Sequence, residues 1–242
     1  NVFILGYEEY AGATALDRGL LGKVRPNGTP DPGYGLYPSQ PGLAFVSDPA
    51  SKVHALAMGR LPDGSRIAVF NTLDAYFTGT DADIIIARID TSGSVDSTFT
   101  APASYSAPFG ANGIAIAAVA TPAGGFYIYG FGAGAPKIAK IRPDGALDMS
   151  YGNNGLCTLP SITGNGYDYD QSLFLDKAGR LIFKKSGGGL VRILPQGVLD
   201  TGFGQYGKVL GPVGATVVDT LGHVYTVMND TVFRISVAGS LD

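Results

Sequence analysis

Residues 192–208 read RILPQGVLDTGFGQYGK, and a closely similar phrase, KIRPDGALDMSYGNNGL, occupies residues 140–156. Shorter versions of the phrase occur as GKVRPNGTPD (22–31), ARIDTSGSVD (87–96) and FRISVAGSLD (233–242). The glycines of the five copies are 42 to 65 residues apart, at Gly28, Gly93, Gly145, Gly197 and Gly239. A phrase repeated at this spacing indicates one supersecondary unit per copy.

A second glycine turn lies inside each full unit, in LPDGSR (61–66), TPAGGF (121–126), DKAGRL (176–181) and DTLGHV (219–224). Strand-like runs rich in β-branched and aromatic residues flank these turns, as expected for hairpins. The unit therefore reads as four antiparallel strands, which is typical of a β-propeller blade. The sequence predicts an all-β propeller of about five four-stranded antiparallel blades, with turns near residues 28, 93, 145, 197 and 239.

The two long phrases resemble the delta-60 repeat, a bacterial β-propeller-type repeat with the hallmark R-apolar-x-x-x-G-x-L-D-x-x-F-G-x-x-G. The copy at 88–99 keeps Asp96 and Phe99 but lacks the trailing glycines, the copy at 23–36 has Pro30 in place of the leucine, and the last copy stops at Asp242. The resemblance implies a bacterial protein that is secreted, exposed on the cell surface or periplasmic. It implies no catalytic residues.

The aspartates and aromatic residues of the phrase are interpreted as structural. A turn aspartate commonly accepts hydrogen bonds from nearby backbone groups. The aromatic residues at 99, 151 and 203 are expected to pack between neighbouring blades, because they recur at one position of the unit.

Composition restricts the remaining classes. With 242 residues, 45% hydrophobic and 15% charged, the chain is long enough for a sizeable core and is predicted to form one domain, residues 1–242. A net charge of -3 without a basic cluster argues against nucleic acid as a partner. The longest apolar stretches are broken by glycine and proline, which disfavours a membrane-spanning helix. The chain opens directly on the strand-like NVFILG, so it is expected to be part of a longer protein.

The chain has little material for thiol or histidine chemistry. Cys157 is the single cysteine, which excludes an internal disulfide, and its setting GLCTL predicts a buried structural thiol. His54 and His223 are the only histidines, and each is interpreted as structural or surface-exposed rather than as a metal ligand or a catalytic base.

The lengths of the segments between the glycine turns vary, whereas the turns keep their form. In a four-stranded antiparallel blade both glycine turns lie at one end, so this variation falls on the opposite end, where insertions in repeat folds often bind ligands. Loops at 6–19, 71–83 and 160–171 are rich in tyrosine and acid. The candidate ligand-binding residues are Tyr7, Glu8, Glu9, Tyr10, Asp74, Tyr76, Asp81, Tyr167, Asp168, Tyr169 and Asp170, with Asp83 beside them. The alternative is that these are ordinary solvated loops.

Three functions stay open at this point. The first is a non-enzymatic binding module that uses the variable loops for adhesion to a glycan or a protein. The second is a propeller-type hydrolase or lyase acting on a saccharide or lactone through acidic residues, and the third is a rigid scaffold. No cofactor is expected, although the alternating oxygen ligands of GNGYDYD (164–170) could hold calcium. The terminal blade is expected to be incomplete, and its open edge could accept a strand from elsewhere.

Overall fold

The computed structural model of the chain describes residues 1–8, 18–35, 40–46, 53–72, 84–97, 99, 109, 114–131, 136–159, 172–185, 189–211, 214–228 and 230–242. Within these ranges the regular structure consists of strands, and no helix is present. The strands are β1 Val2–Glu8, β2 Arg18–Val24, β3 Leu43–Val46, β4 Val53–Arg60, β5 Arg66–Thr72, β6 Ile84–Ile89, β7 Ile114–Ala120, β8 Phe126–Phe131, β9 Lys137–Ile141, β10 Leu156–Thr158, β11 Ser172–Leu175, β12 Leu181–Lys185, β13 Gly189–Ile193, β14 Lys208–Val209, β15 Thr216–Val218, β16 Val224–Met228 and β17 Thr231–Ile235. The predicted all-β class is confirmed.

The chain divides into two compact units. The first unit consists of Asn1–Pro136 and Lys140–Leu147, and the second of Lys137–Ala139 and Asp148–Asp242. The boundary therefore passes through β9.

The strands form five small sheets, and consecutive strands along the chain are neighbours within each sheet. The first unit contains the sheets β1-β2-β3 and β4-β5-β6, and the second contains β11-β12-β13-β14 and β15-β16-β17. The boundary strand β9 belongs to the sheet ordered β10-β9-β8-β7. Two sheets have the predicted four strands, and the other three have three strands among the described residues. Five sheets of four strands each thus stay a prediction.

Both predicted glycine turns are present in the repeat. In the repeated phrase at 192–208, the N–H of Gly197 donates to the carbonyl of Leu194 (2.9 Å), and the other four copies of the phrase contain the equivalent bond. In the second type of turn, the Gly64 N–H donates to the Leu61 carbonyl (3.0 Å), and this bond also recurs in the later copies. Gly197 has φ of +80° and Gly64 of +87°, a backbone conformation that glycine adopts without steric cost.

Each unit has its own apolar core between successive sheets. In the first unit the buried cluster joins Leu21 of β2 to Phe70 of β5 and Ile89 of β6, with Phe3 and Leu5 packed against it. In the second unit the cluster joins three residues of the sheet β11–β14 and its turn, Ile182, Leu190 and Phe203, to Val224 and Ile235 of the last sheet. Burying a large apolar side chain stabilises the folded state by about 1.5–3 kcal/mol, so these contacts hold neighbouring sheets together.

Cys157 lies in β10 as a buried free thiol. Burial raises the pKa of this thiol to about 11, because the charged thiolate is disfavoured away from water. The prediction that the cysteine is buried is confirmed.

Candidate functional site

The predicted ligand-binding residues lie at the end of one strand and in segments outside the described residues. Tyr7 and Glu8 end β1, where their backbones pair with Gly19 and Arg18 of β2. The side chains of these two residues are outside the described part of the structure, as are the following residues in full: Glu9, Tyr10, Asp74, Tyr76, Asp81, Asp83, Tyr167, Asp168, Tyr169 and Asp170. Their role in binding therefore stays a prediction.

We call the end of a sheet that carries the glycine turns the turn end. There a basic residue on the strand that precedes a repeat glycine pairs with the aspartate eight residues further along the chain. The Arg192 Nε and an Asp200 carboxylate oxygen are 2.7 Å apart, and both side chains are largely buried. The same arrangement occurs at Lys23–Asp31 (2.8 Å), Arg88–Asp96 (3.6 Å) and Arg234–Asp242 (3.3 Å). These four aspartates of the repeated phrase thus form ion pairs with basic residues of the same copy of the phrase.

The same aspartates also accept bonds from the backbone of the turn. Asp31 Oδ1 accepts from the Gly33 N–H (3.2 Å), and Asp200 Oδ1 accepts from the Gly202 N–H (3.2 Å). The pKa of Asp31 is lowered, first by the hydrogen bond from Lys23 and then by the Gly33 N–H, since both favour the carboxylate. The predicted structural role of these aspartates is confirmed at both positions.

Arg88 shows that the two kinds of glycine turn lie at the same end of a sheet. Its guanidinium contacts Asp63, in the turn between β4 and β5, at 2.5 Å. It also contacts Asp96, in the turn after β6, at 3.6 Å. The pKa of Asp63 is lowered to about 2, mainly by the Ser65 hydroxyl and backbone N–H and further by Arg88. The opposite ends of β5 and β6, at Thr72 and Ile84, border the segment 73–83, which lies outside the described residues.

A glycine that follows the aromatic residue of the phrase bonds to the next copy of the phrase. The Gly35 N–H donates to the Ser92 carbonyl (2.7 Å), Gly152 donates to Gln196 (2.8 Å), and Gly204 donates to Ala238 (2.8 Å). We name this bond the repeat latch. A methyl group at Gly197 would lie 2.5 Å from the Gly152 nitrogen, so the two turns are in close backbone contact. Sequence reasoning missed this link, although the aromatic–glycine pair at 34–35, 151–152 and 203–204 could have indicated it.

The aromatic residues beside the latch are buried between successive copies. Tyr151 and Phe203 are almost fully buried. An added methyl group at Gly197 would lie 2.9 Å from the Tyr151 ring, and one at Gly239 would lie 2.9 Å from the Phe203 ring. The predicted packing between neighbouring copies of the repeat is confirmed for these two residues, whereas Phe99 is only half-buried.

The buried side-chain amide of Asn71 joins the sheet β4–β6 to the sheet β7–β10. Asn71 of β5 donates to the Ala115 carbonyl (2.5 Å) and accepts from the Ala115 N–H (3.2 Å). Ala115 lies where the pairing of β7 with β8 shifts register, so its backbone is available to a side chain. No sequence pattern assigned a role to Asn71.

His223 is a turn residue in this structure. Its Nδ1 is 2.8 Å from Asp219 Oδ2, and Asp219 Oδ1 accepts from the backbone N–H groups of Leu221 and His223 at 2.9 Å each. Burial raises the pKa of Asp219, but the His223 side chain and these backbone donors outweigh that effect and lower it overall. In the preceding copy Arg180 Nε lies 2.6 Å from Asp176 Oδ2 in the same way. The repetition supports the predicted structural role of His223, while the His54 side chain lies outside the described residues.

The described residues contain no group of three or more His, Cys, Asp or Glu side chains that could hold a metal ion. They also contain no helix long and apolar enough to cross a membrane. The calcium hypothesis concerns residues 164–170, outside the described ranges, and stays a prediction.

Comparisons with known proteins concern the fold. Residues 73–99 match the family described as "Domain of unknown function (DUF5122) beta-propeller". No curated protein matches the chain. The solved Dos1 propeller is similar with a TM-score of 0.53 and 12% identity over 91% of this chain and 52% of that one. A gluconolactonase from Xanthomonas campestris has a TM-score of 0.48 and 13% identity over 90% of this chain and 67% of that one. The chain thus spans about half the length of the Dos1 propeller, and its five small antiparallel sheets have a β-propeller fold.

Proposed function

We propose that the chain is a non-enzymatic interaction module built from delta-60 repeats, and that it binds a glycan or a protein through the variable loops. The observation that carries the proposal is that carboxylates at the turn end are already paired with basic side chains. There the carboxylates of Asp31, Asp63, Asp200 and Asp219 accept bonds from their own turns, and basic side chains lie against them. Groups held in this way are poorly suited to bind a partner, which favours the opposite end.

The chemistry of the opposite end supports recognition of hydroxyl-rich or basic ligands. The segments 6–10, 74–83 and 167–170 combine tyrosines with carboxylates. Tyrosine offers an apolar ring together with a hydroxyl group, and carboxylates accept hydrogen bonds from sugar hydroxyls or coordinate calcium. In keeping with the repeat resemblance, we place the protein at the bacterial cell surface or in a secreted or periplasmic setting.

The test is binding of the purified chain to a glycan array and to labelled bacterial surface proteins, with and without calcium. A variant with Tyr7→Ala, Glu8→Ala, Tyr10→Ala and Asp168→Ala should weaken specific binding at least tenfold. The matched control is Tyr206→Asn at the turn end. Tyr206 is exposed and has φ of +52°, and Asn154 holds the equivalent position with φ of +53°. This control should bind like the wild type.

Two results would contradict the proposal. Equal loss of binding in the loop variant and in Tyr206→Asn would place the ligand away from the loops. Turnover of saccharides or lactones that disappears in the loop variant would instead establish the enzymatic alternative. Far-UV circular dichroism of each variant verifies that the fold is retained.

A further inference from the structure

One hairpin of the repeat has two arginines directly opposite each other. Arg60 ends β4 and Arg66 begins β5, and the two residues are register partners across the Gly64 turn. Register partners in an antiparallel pair place their side chains on the same face of the sheet, with the Cβ atoms about 5 Å apart. Like charges in this position destabilise a sheet. This hairpin therefore carries an arrangement of charges that the fold itself does not favour.

The equivalent pairs at the other three turns of this type are apolar. They have the same register around their own glycines, and they are Ala120–Phe126, Leu175–Leu181 and Val218–Val224. The residues at the position of Arg66 are all buried, namely Phe126, Leu181 and Val224. Arg66 thus places a positive charge at a core position of the repeat. A departure from a local rule that costs stability is expected at functional sites.

The ion pairs at the turn end do not neutralise these two arginines. No carboxylate among the described residues pairs with Arg60 or Arg66. Asp63 lies in the turn between them, but its carboxylate contacts Arg88. Arg88 is the register partner of Ile67, so it lies on the opposite face of the sheet from Arg66. The face that carries Arg60 and Arg66 therefore keeps two positive charges at this hairpin.

The Arg66 guanidinium is held in one orientation by its surroundings. It lies over the Phe3 ring, 3.9 Å from the centroid, in a cation–π contact. Its Nη1 group donates to the carbonyls of Gly64 (2.8 Å) and Ser65 (3.2 Å). These bonds leave the N–H groups of Nε and Nη2 for other acceptors. That edge of an arginine binds a carboxylate or a phosphate through two parallel hydrogen bonds.

The two positive charges also affect each other. Burial lowers the pKa of the Arg66 guanidinium, and the neighbouring Arg60 charge lowers it further, because both effects disfavour the charged form. An anion between the two side chains would offset the repulsion and supply acceptors in place of the water that Arg66 loses on folding. The arrangement is thus unfavourable without an anion and favourable with one.

We propose that Arg60 and Arg66 together bind an oxyanion, either the carboxylate of an acidic sugar or a phosphate group. Arg66 supplies an oriented pair of donors, and Arg60 supplies a second charge on the same face. Both residues belong to the first unit and lie at the turn end. The site is therefore separate from the variable loops, and its test is independent of the ligand proposed for them.

The test is isothermal titration calorimetry of the full chain with glucuronate and, separately, with inorganic phosphate, in a buffer free of other oxyanions. Arg60→Ala reproduces the residue found at this position in the next copy, Ala120, and should weaken binding at least tenfold. Arg66→Lys keeps the charge but removes the two-donor edge, so it should weaken binding at least threefold. The matched control is Arg142→Ala, which removes an arginine paired with Asp144 at another turn and should bind like the wild type. Tighter binding of glucuronate assigns a carboxylate to the site, and tighter binding of phosphate assigns a phosphate group.

Urea unfolding gives a second readout, which separates binding from a structural role of Arg60. Without an anion, Arg60→Ala should have a higher urea midpoint than the wild type, because the like-charge contact is removed. A saturating concentration of the anion should raise the midpoint of the wild type, since a ligand stabilises the folded state that binds it. The same concentration should leave the midpoint of Arg60→Ala unchanged.

Three outcomes would overturn the proposal. The first is a wild-type chain that gives no binding heat and no change of midpoint with either anion. The second is an equal loss of affinity in Arg60→Ala and Arg142→Ala, which would indicate a general attraction of anions to positive charge. The third is a lower midpoint of Arg60→Ala without an anion, which would mean that Arg60 stabilises the fold by itself. If Arg66→Lys does not fold, Arg60→Lys applies the same comparison at the neighbouring position.

Discussion

Tyr34 carries a buried hydroxyl group that has no hydrogen-bond partner among the described residues. The residue is 1% exposed, and its ring packs edge-to-face on Phe3 with the centroids 5.8 Å apart. In the unfolded chain the same hydroxyl bonds to water, so folding leaves it unpaired. Phe203 occupies the equivalent position after its aspartate, which shows that the repeat accepts an aromatic ring without a hydroxyl. We therefore predict that Tyr34→Phe stabilises the protein.

The size of the effect follows from the desolvation of one hydroxyl. Leaving a buried polar group unpaired costs about 1–3 kcal/mol, and Tyr34→Phe removes that group while keeping the ring contacts. We expect the free energy of unfolding to rise by about 1 kcal/mol, at the lower end because the phenylalanine leaves a small void. For a chain of this size the melting temperature should rise by roughly 2–4 °C.

The assay is urea unfolding followed by far-UV circular dichroism, because the chain contains no tryptophan. The midpoint should move to higher urea in Tyr34→Phe with an unchanged slope. Tyr206→Phe is the matched control, since Tyr206 is 84% exposed and its hydroxyl stays in water in both states. A lower midpoint for Tyr34→Phe, with Tyr206→Phe unchanged, would mean that the Tyr34 hydroxyl makes a stabilising hydrogen bond and would refute the reasoning.

Three further predictions concern stability. Burial raises the pKa of Tyr34 and Tyr129 to about 12 from the ordinary 10, so unfolded tyrosines ionise first and the free energy of unfolding should fall between pH 10 and 12. The double Phe variant, titrated in parallel, should reduce this fall, which by pH 12 reaches about 2 kcal/mol per tyrosine. Gly197→Ala should lower the urea midpoint more than Gly28→Ala, because both have positive φ but only the former methyl meets backbone, and equal losses would contradict this. Arg192→Leu should lower the free energy of unfolding in urea by about 3–5 kcal/mol, because it leaves the largely buried Asp200 without its ion-pair partner. An unchanged free energy of unfolding would refute the stabilising role of this pair.

The turns of the fold could be predicted from the sequence because their chemistry is local. A glycine with positive φ and an aspartate that accepts bonds two residues later each act within a few residues, so every copy of the phrase carries the information for its own turn. The number of strands per sheet was harder to predict. The fourth strands β10 and β14 have only three and two residues, Leu156–Thr158 and Lys208–Val209, which is too short for an alternating pattern to show.

The contacts between copies depend on three-dimensional proximity, and the sequence showed them only in part. The spacing of eight residues between Arg192 and Asp200 recurs in every copy, but strand geometry is needed to see that the two side chains meet. The repeat latch joins Gly152 to Gln196 across 44 residues, and the phrase itself does not indicate this bond. The candidate binding residues lie in segments that differ from copy to copy, so no second example within the chain assigns them a role.

The repeated phrase and the variable segments have separable energetic roles. The ion pair, the turn bonds and the latch all involve residues of the phrase and of its next copy, so their geometry does not depend on the length of chain between them. Copies 42 to 65 residues apart keep the same turn bond at the repeat glycine. Lengthening a flexible loop is cheap, since even a doubling costs only about 0.6 kcal/mol of closure entropy. A single substitution at the turn end, by contrast, can leave a buried charge or a backbone clash that costs several times more. Insertions and new polar residues can therefore accumulate in the loops without loss of the fold, which is why a ligand site is expected there and why changes to it should alter binding with little effect on stability.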